Sequence, residues 1–207
     1  MPVMSDAELL VAWREGDKRA GAVLFERYFE PVSRFFVNKL TEDPEDLIQE
    51  TFMACVRWRD RLRDAASFRS YLFGTACNVL RAHLRRRTHV PLDDDDERCA
   101  FDLAPGPSTA LHAREGERLL LDALRRIPLE LQILLELHYW EAMTTDEIAE
   151  TLALPTGTVR GRLQRGRARL LEVIEELPGP RAMQATLARE LDAWAAGLRD
   201  VVVRREG

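Results

Sequence analysis

The sequence has few cysteines and no long apolar run, and each of these scarcities excludes a class of protein. Its three cysteines, Cys55, Cys77 and Cys99, are odd in number and far apart, without a CxxC pair, so neither a disulfide framework nor a zinc site is expected. Cys55 and Cys77 are interpreted as core thiols of a reducing compartment. No apolar run approaches the ~18–20 residues of a membrane span, and the N-terminus lacks the basic-then-apolar order of a signal peptide. We therefore expect a cytoplasmic protein that does not insert into membranes.

The chain also lacks strand patterns and an overall basic charge. Segments of alternating hydrophobicity and clusters of β-branched residues are scarce, which predicts an all-α fold. The formal net charge of −5 argues against a uniformly basic nucleic-acid-binding surface. The charge is uneven, however, because basic residues are concentrated at 57–63, 81–87 and 160–169. Local basic patches of this kind keep nucleic-acid binding open.

The most informative pattern lies between residues 144 and 171. Thr144 is a predicted N-cap, and Glu147 three residues later completes a capping box. The first helix should end before Pro155, since a proline disfavours helical geometry in the residue that precedes it. Pro155 suits the first turn of a second helix, where its missing N–H costs nothing. The segment therefore predicts a helix-turn-helix.

The second helix of this motif has an apolar face and, opposite it, a face of small or hydrogen-bonding residues. Val159, Leu163 and Leu170 repeat at the helical period, and no acidic residue occurs from 156 to 171. A helix that enters the DNA major groove needs this layout, because small residues permit close approach while Gln and Arg meet base edges. A solvated arginine face is the plainer interpretation, but the capped helix and turn in front of it favour DNA binding.

Residues 44–58 predict a helix with an acidic outer face. Pro44 suits its first turn, and the acidic residues that follow are favourable at the positive end of the helix dipole. The residues left outside are Glu45, Asp46, Gln49 and Glu50. This face is either a solvated, well-capped surface or a docking face for a basic protein partner.

Three other helices complete the N-terminal half. Ser5 with Glu8 predicts a capped first helix, and a second helix over 20–40 should be kinked or divided at Pro31. After a short polar loop, Ser67 is the predicted N-cap of a fourth helix.

The pattern predicts two small helical domains, at 1–87 and 108–177. The segment between them, 88–107, combines prolines with a run of acidic residues and is interpreted as a flexible acidic linker. An extension at 178–207 contains an amphipathic helix. Such a helix must bury its apolar stripe against one of the domains or against a partner.

Four segments resemble the extracytoplasmic-function (ECF) group of bacterial RNA polymerase sigma factors. They are 6–17, similar to the group's opening helix; 45–52, similar to its segment that binds the polymerase clamp helices; 68–87, similar to the segment that engages the minus-ten promoter element; and 157–167, similar to the recognition helix for the minus-thirty-five element. All four occur in the family's order, with an acidic linker between. The sequence departs from the family pattern at Tyr71, Cys77 and Gly161, where Trp, Arg and Ser are usual, and these departures affect the expected promoter-base preferences.

The resemblance implies that 1–87 is sigma domain 2 and 108–177 is a helix-turn-helix sigma domain 4. It implies a protein that binds core RNA polymerase and promoter DNA and directs transcription initiation, with an anti-sigma factor as a further partner. The implied polymerase-binding residues are Glu45, Asp46, Gln49 and Glu50. The implied minus-ten residues are Arg57, Arg61, Arg63, Asn78, Arg81 and Arg85. The implied minus-thirty-five residues are Thr158, Arg160, Gly161, Arg162, Gln164, Arg165 and Arg167.

Within the last set, the chemistry of the side chains separates two roles. Gln164 and Arg165 are the candidates for base edges, because Gln pairs bidentately with adenine and Arg with guanine. Arg160, Arg162 and Arg167 are expected to contact phosphates.

Other classes of function remain as alternatives. A helix-turn-helix regulator would bind duplex DNA as a dimer without polymerase. An all-helical enzyme would need a catalytic motif, but HExxH, a nucleophile elbow and a phosphate loop are all missing from the sequence. Glu136, His138 and Glu141 are interpreted as residues of ordinary helix faces, so neither a metal nor a cofactor is expected. An interaction scaffold accounts for the last helix but not for the arginine pattern.

Overall fold

The computed structural model describes residues 4–61, 65–88, 115–189, 191 and 193. All regular secondary structure within these ranges is helical, which confirms the predicted all-α class. The described residues form two compact units, and residues 37–43 group with the second of them. No helix within these ranges has the length and hydropathy needed to cross a membrane. The predicted linker lies outside the described residues beyond Thr88, so its properties and the domain boundaries stay predictions.

The first unit is built from α1 (Asp6–Arg14), α2 (Lys18–Val37), α3 (Glu45–Trp58), a 3-10 turn (Arg59–Arg61) and α4 (Ala65–Thr88). The predicted capping box of α1 is confirmed: the Ser5 N–H donates to the Glu8 carboxylate at 2.7 Å, and the Glu8 N–H donates to Ser5 Oγ at 3.4 Å. Helix α2 continues through Pro31 and is not divided there. Helix α4 begins at Ala65, so Ser67 lies inside it rather than at its N-cap. Alanine is the strongest helix former, which accounts for the earlier start.

Aromatic side chains join the helices of the first unit. Trp13 meets Phe25 edge-on with ring centroids 5.1 Å apart, and Tyr28 meets Phe68 of α4 in the same way at 5.5 Å. Gly21 allows α2 to approach the indole of Trp13, because a Cβ at this position would lie 2.5 Å from Trp13 Cδ1. Phe52 of α3 joins these rings, with its centroid 5.0 Å from that of Phe25, while the acidic side of α3 is exposed.

The second unit is built from α5 (Glu115–Arg125), α6 (Leu129–Tyr139), α7 (Thr145–Leu152), α8 (Thr156–Glu176) and α9 (Arg181–Arg189). Helix α6 lies at its centre, with an unbroken run of buried residues over 131–137. Two of these are polar, and Gln132 Nε2 donates to the Glu136 carboxylate at 2.9 Å. The buried Lys39 ammonium donates to the same carboxylate. The carboxylate is thereby paired, as a buried charge requires.

Two helices begin one residue later than the sequence suggested, because Pro44 and Pro155 precede the first turn instead of lying in it. Pro44, Pro128 and Pro155 are the N-cap residues of α3, α6 and α8, and each helix begins at the next residue. An N-cap contributes its carbonyl to the first helical hydrogen bond, and the Pro155 carbonyl accepts from the Val159 N–H at 3.1 Å. A proline therefore suits this position as well as the first turn.

Helix α9 of the C-terminal extension belongs to the core of the second unit. Leu187 and Leu191 are fully buried there, together with residues of α5 and α8. Gln184 Nε2 also donates to the carbonyl oxygens of Ile174 at 3.1 Å and Leu177 at 2.7 Å. These carbonyls lie at the end of α8, where a helix has no backbone donors of its own. Of the two burial sites expected for the apolar stripe, a domain or a partner, the structure places Leu187 and Leu191 on a domain.

Replacing Leu187 with alanine should therefore destabilise the second unit by about 2–5 kcal/mol, as for other fully buried leucines. Hydrogen exchange followed by mass spectrometry should show lost protection in α5 and α8, with α1–α4 unchanged. The exposed Ala185→Ser on the same helix is the control and should change stability by less than about 0.5 kcal/mol. Unchanged protection in the Leu187 variant would contradict the placement of α9.

Candidate nucleic-acid interface and docking face

Helices α7 and α8 form the predicted helix-turn-helix, and local chemistry fixes both ends of the turn. The Thr144 N–H donates to Glu147 Oε2 at 2.7 Å, and the Glu147 N–H donates to Thr144 Oγ1 at 3.3 Å, which confirms the capping box. Ala153 ends α7 in the left-handed region, with φ of 53°. Thr156 Oγ1 then donates to Asp146 Oδ1 at 3.1 Å and ties the start of α8 back to α7.

The inner face of α8 packs on the second unit through more residues than the sequence suggested. Val159 and Leu170 are buried and Leu163 is half-buried. Gly166 is also buried, and a Cβ there would lie 3.4 Å from Leu131 Cβ on α6. Sequence reasoning missed this glycine, although its position seven residues after Val159 places both on one face.

The outer face of α8 is open. Its exposed residues are Gly157, Arg160, Gly161, Gln164, Arg165 and Ala168. Nothing lies within 4 Å of a Cβ built at Gly157 or at Gly161. Thr158 is half-buried at the edge of this face. The face therefore has no projecting side chains at its two glycines and carries hydrogen-bonding side chains beside them.

Two arginines of α8 lie elsewhere than expected. Arg162 is only 9% exposed and is not on the outer flank, because it follows the buried Val159 by three residues, almost one helical turn. Arg167 is half-buried, and its Nη1 donates to the Tyr139 hydroxyl at 2.8 Å. Arg160 and Arg165 are the exposed arginines among the candidates of this helix.

The acidic side of α3 is fully in solvent. Its four candidate residues, Glu45, Asp46, Gln49 and Glu50, are all exposed. Met53 and Val56 lie on the same side of the helix and are 49% and 43% exposed. An exposed surface that joins carboxylates to apolar side chains is complementary to a basic partner that also has apolar contacts.

The minus-ten candidates are distributed over the end of α3, the 3-10 turn and α4. Arg57, Arg61, Asn78 and Arg85 are exposed, Arg81 is half-buried, and Arg63 lies outside the described residues. The guanidinium of Arg61 lies over the ring of Trp58, 4.2 Å from its centroid. Trp58 is 44% exposed. Sequence reasoning did not select this tryptophan, although its place between two arginines is a usable signal.

Residues 57–61 carry three arginines and one acid, Asp60, so this short segment has a positive balance of charge. Asp60 is adjacent to Arg61 in sequence, and a hydrogen bond from Arg59 lowers the pKa of its carboxyl group. Arg59 Nε donates to Asp60 Oδ1 at 2.8 Å. Burial raises the pKa of Tyr71, whose ring lies 6.3 Å from that of Trp58. Tyr71 therefore contributes a neutral aromatic surface at physiological pH.

The residues considered for an enzyme have structural partners. Glu136 is buried with Lys39 and Gln132, and His138 Nδ1 lies 3.2 Å from the Met143 carbonyl oxygen. Burial raises the pKa of Cys55 to about 12, so its thiol stays protonated. Cys55 and Cys77 are buried, as predicted, and Cys99 lies outside the described ranges. Among the residues placed by the structure, no cluster of three or more potential metal ligands occurs.

Two family models match the chain, and they match the two helical units separately. Sigma-70 region 2 matches residues 24–90, and Sigma-70, region 4 matches residues 117–170. These two matches cover segments of both units. A helix-turn-helix regulator that acts without polymerase would explain the match to the second unit but not the match to the first.

Relatives that match this chain over nearly their whole length are also RNA polymerase sigma factors. The ECF RNA polymerase sigma-E factor of Haemophilus influenzae is 26% identical over 184 residues, which cover 84% of this chain and 97% of that protein. The RNA polymerase sigma-H factor of Pseudomonas aeruginosa is 26% identical over 183 residues, which cover 83% and 95%. A solved structure of CnrH in complex with the cytosolic domain of CnrY is 23% identical with a TM-score of 0.60, over 84% of this chain and 99% of that chain. That likeness supports the fold.

Proposed function

The chain belongs to the ECF group of sigma-70 factors, which direct transcription initiation by RNA polymerase, and from this premise we propose how its surfaces divide that work. The first unit binds core polymerase through the acidic face of α3 and engages the minus-ten element. The second unit reads the minus-thirty-five element with α8. One observation carries the proposal: the chain exposes an acidic helix face in one unit and, in the other, a recognition helix that bears exposed arginines and has no acidic residue from 156 to 171.

Transcription in vitro tests the whole proposal. Core polymerase mixed with this protein should start transcripts at discrete sites, and core polymerase alone should not start there. The protein acts as a binding factor, and we assign it no catalytic residue and no cofactor.

The recognition face of α8 consists of Gln164, Arg165 and the exposed backbone around Gly157 and Gly161. Glutamine and arginine supply bidentate contacts to adenine and guanine edges. The two glycines add no side-chain bulk, so the helix approaches the floor of the major groove closely. Arg160 contacts a phosphate, Thr158 lies at the edge of the contact, and Arg167 reaches a phosphate while keeping its bond to Tyr139. Arg162 is left out of this surface because it is buried.

Replacing Arg160 with alanine should weaken promoter binding by the holoenzyme at every sequence and reduce the slope of log K against log salt by about 1. Binding to a fluorescent promoter fragment at several salt concentrations measures the slope. The control is Arg181→Ala, an exposed arginine at the start of α9, which should leave the slope unchanged. An unchanged slope in the Arg160 variant would remove Arg160 from the phosphate contacts.

In the first unit, the basic residues at the end of α3 and along α4 engage the minus-ten element. We assign phosphate contacts to Arg57, Arg61, Arg81 and Arg85, and a base contact to Asn78. Arg63 stays a candidate from the sequence. The acidic linker joins the two activities.

An anti-sigma factor is the expected regulatory partner. The α3 face that we assign to polymerase is the surface that such a factor has to cover in order to compete. This assignment places the protein with polymerase in the cytoplasm. The expected anti-sigma partner can be tested by asking whether a captured partner competes with core polymerase for binding to the purified chain.

A further inference from the structure

Tyr139 is a half-buried side chain at the last residue of α6, shortly before the N-cap Thr144 of α7. Its ring packs against the core of the second unit and meets the ring of His138 edge-on, with centroids 4.9 Å apart. A tyrosine has only two side-chain torsions, so this packing also fixes the position of its hydroxyl group. The hydroxyl oxygen accepts a hydrogen bond from Arg167 Nη1 at 2.8 Å. A rigid group of α6 therefore holds the end of a side chain of the recognition helix.

Arg167 lies at the boundary between the packed and the exposed faces of α8. It follows Leu163 by four residues and Gln164 by three, so it is a neighbour of both on the surface of the helix. Leu163 packs against the core, whereas Gln164 is exposed on the face that we assign to base edges. Phosphates flank a helix that lies in the major groove. An arginine at this boundary is therefore placed for a phosphate rather than for a base.

The hydrogen bond between the two side chains orders Arg167 more than it stabilises the fold. Tyr139 and Arg167 are both half-buried, so water can replace either partner, and the penalty for an unsatisfied buried group does not arise. A flexible arginine loses rotamer freedom when DNA orders it, whereas an arginine that is already held loses less on binding. The phenol oxygen is an uncharged acceptor, so this bond does not neutralise the guanidinium. These properties suit an arginine that is held ready for a phosphate.

We propose that Tyr139 is a positioning residue for the minus-thirty-five contact, because it orders Arg167 so that the guanidinium meets a phosphate of the duplex. Tyr139 acts through Arg167 and makes no DNA contact of its own. This inference rests on the proposed function and adds to it a residue of α6, outside the recognition helix, that the sequence pattern did not select.

The test measures binding of holoenzyme to a fluorescent duplex that carries the minus-thirty-five region of a promoter that the wild-type holoenzyme transcribes. Wild type, Tyr139→Phe, Arg167→Ala and the double variant are compared at several salt concentrations. Tyr139→Phe should weaken binding by about two- to tenfold, the usual effect of one hydrogen bond. Its slope of log K against log salt should stay unchanged, because the loosened arginine still reaches the phosphate. Arg167→Ala should lower the slope by about 1, and in that background Tyr139→Phe should have no further effect.

The matched control is Thr186→Val, which removes a hydroxyl group from the same unit. That hydroxyl donates to the Ala182 carbonyl oxygen at 2.9 Å on α9, away from the proposed DNA surface. Affinity and slope of the control should match the wild type. All variants should recover core polymerase equally and keep the helical circular dichroism spectrum, since the proposed docking face lies in the first unit.

Three results would overturn the inference. Wild-type affinity in Tyr139→Phe would show that the hydroxyl group does not assist binding. A loss of affinity that persists undiminished in the Arg167→Ala background would show that the hydroxyl acts on DNA or on the fold without Arg167. Wild-type affinity and slope in Arg167→Ala would remove the phosphate contact itself. Failure of the wild-type holoenzyme to bind the duplex would instead be a failure of the proposed function.

Discussion

Reversing the charge of Glu45 and Asp46 to arginine should abolish recovery of this protein with core RNA polymerase. Both carboxylates are exposed on the first turn of α3, where the proposed basic partner docks. The double change replaces two attractive contacts with two repulsive ones, and like-charge contacts at an interface cost several kcal/mol. We expect recovery to fall by roughly 30-fold or more. A pull-down from purified components at fixed salt measures it.

The matched control reverses Glu175 and Glu176, an exposed acidic pair near the end of α8. It makes the same change in net charge but should leave polymerase recovery unaltered. Acidic residues at the start of α3 also favour the helix dipole, each by about 0.3–1 kcal/mol, so circular dichroism must show that the variant stays folded. If the Glu45/Asp46 variant is folded and recovers as much polymerase as the wild type, the docking face is not on α3.

Features set by neighbours in the sequence could be predicted from it. The capping boxes at Ser5 and Thr144 involve a residue and its third successor, so the local pattern contains both partners. The helix-turn-helix followed from one such cap and one proline. The shift of Pro155 to the N-cap is a one-residue difference between two positions that both tolerate a missing N–H.

Features set by tertiary packing could not be predicted in the same way. A helical wheel assigns Arg162 to a flank, but only the packing of α8 shows that its side chain is buried. The stripe of the last helix pointed to some apolar partner, and the core around Leu187 identifies it as the second unit. The sequence predicts Trp58 only as the last residue of a helix. The exposure of its ring and the positions of Tyr71 and Arg61 beside it are set by packing.

Replacing Arg165 with glutamate should abolish promoter-specific transcription while leaving polymerase recovery intact. Arg165 is exposed on α8 beside Gln164, and a bidentate arginine–guanine contact contributes about 1–3 kcal/mol of discrimination. The glutamate loses that contact and adds a carboxylate close to phosphates, so transcription should fall by about 100-fold or more. Arg181→Glu, the same reversal on α9, is the control and should stay near wild-type activity.

The milder Arg165→Lys separates base reading from phosphate contact. Lysine keeps the charge but lacks the planar fork, so a base-reading role predicts lost preference at one promoter position, with the salt slope of binding unchanged. A phosphate role predicts that lysine restores wild-type activity at every promoter sequence. Binding of the holoenzyme to fragments with each base substituted across the minus-thirty-five element distinguishes the two. If the preference profile of Arg165→Lys equals that of the wild type, Arg165 does not read a base, and Gln164 is left as the base-reading candidate of α8.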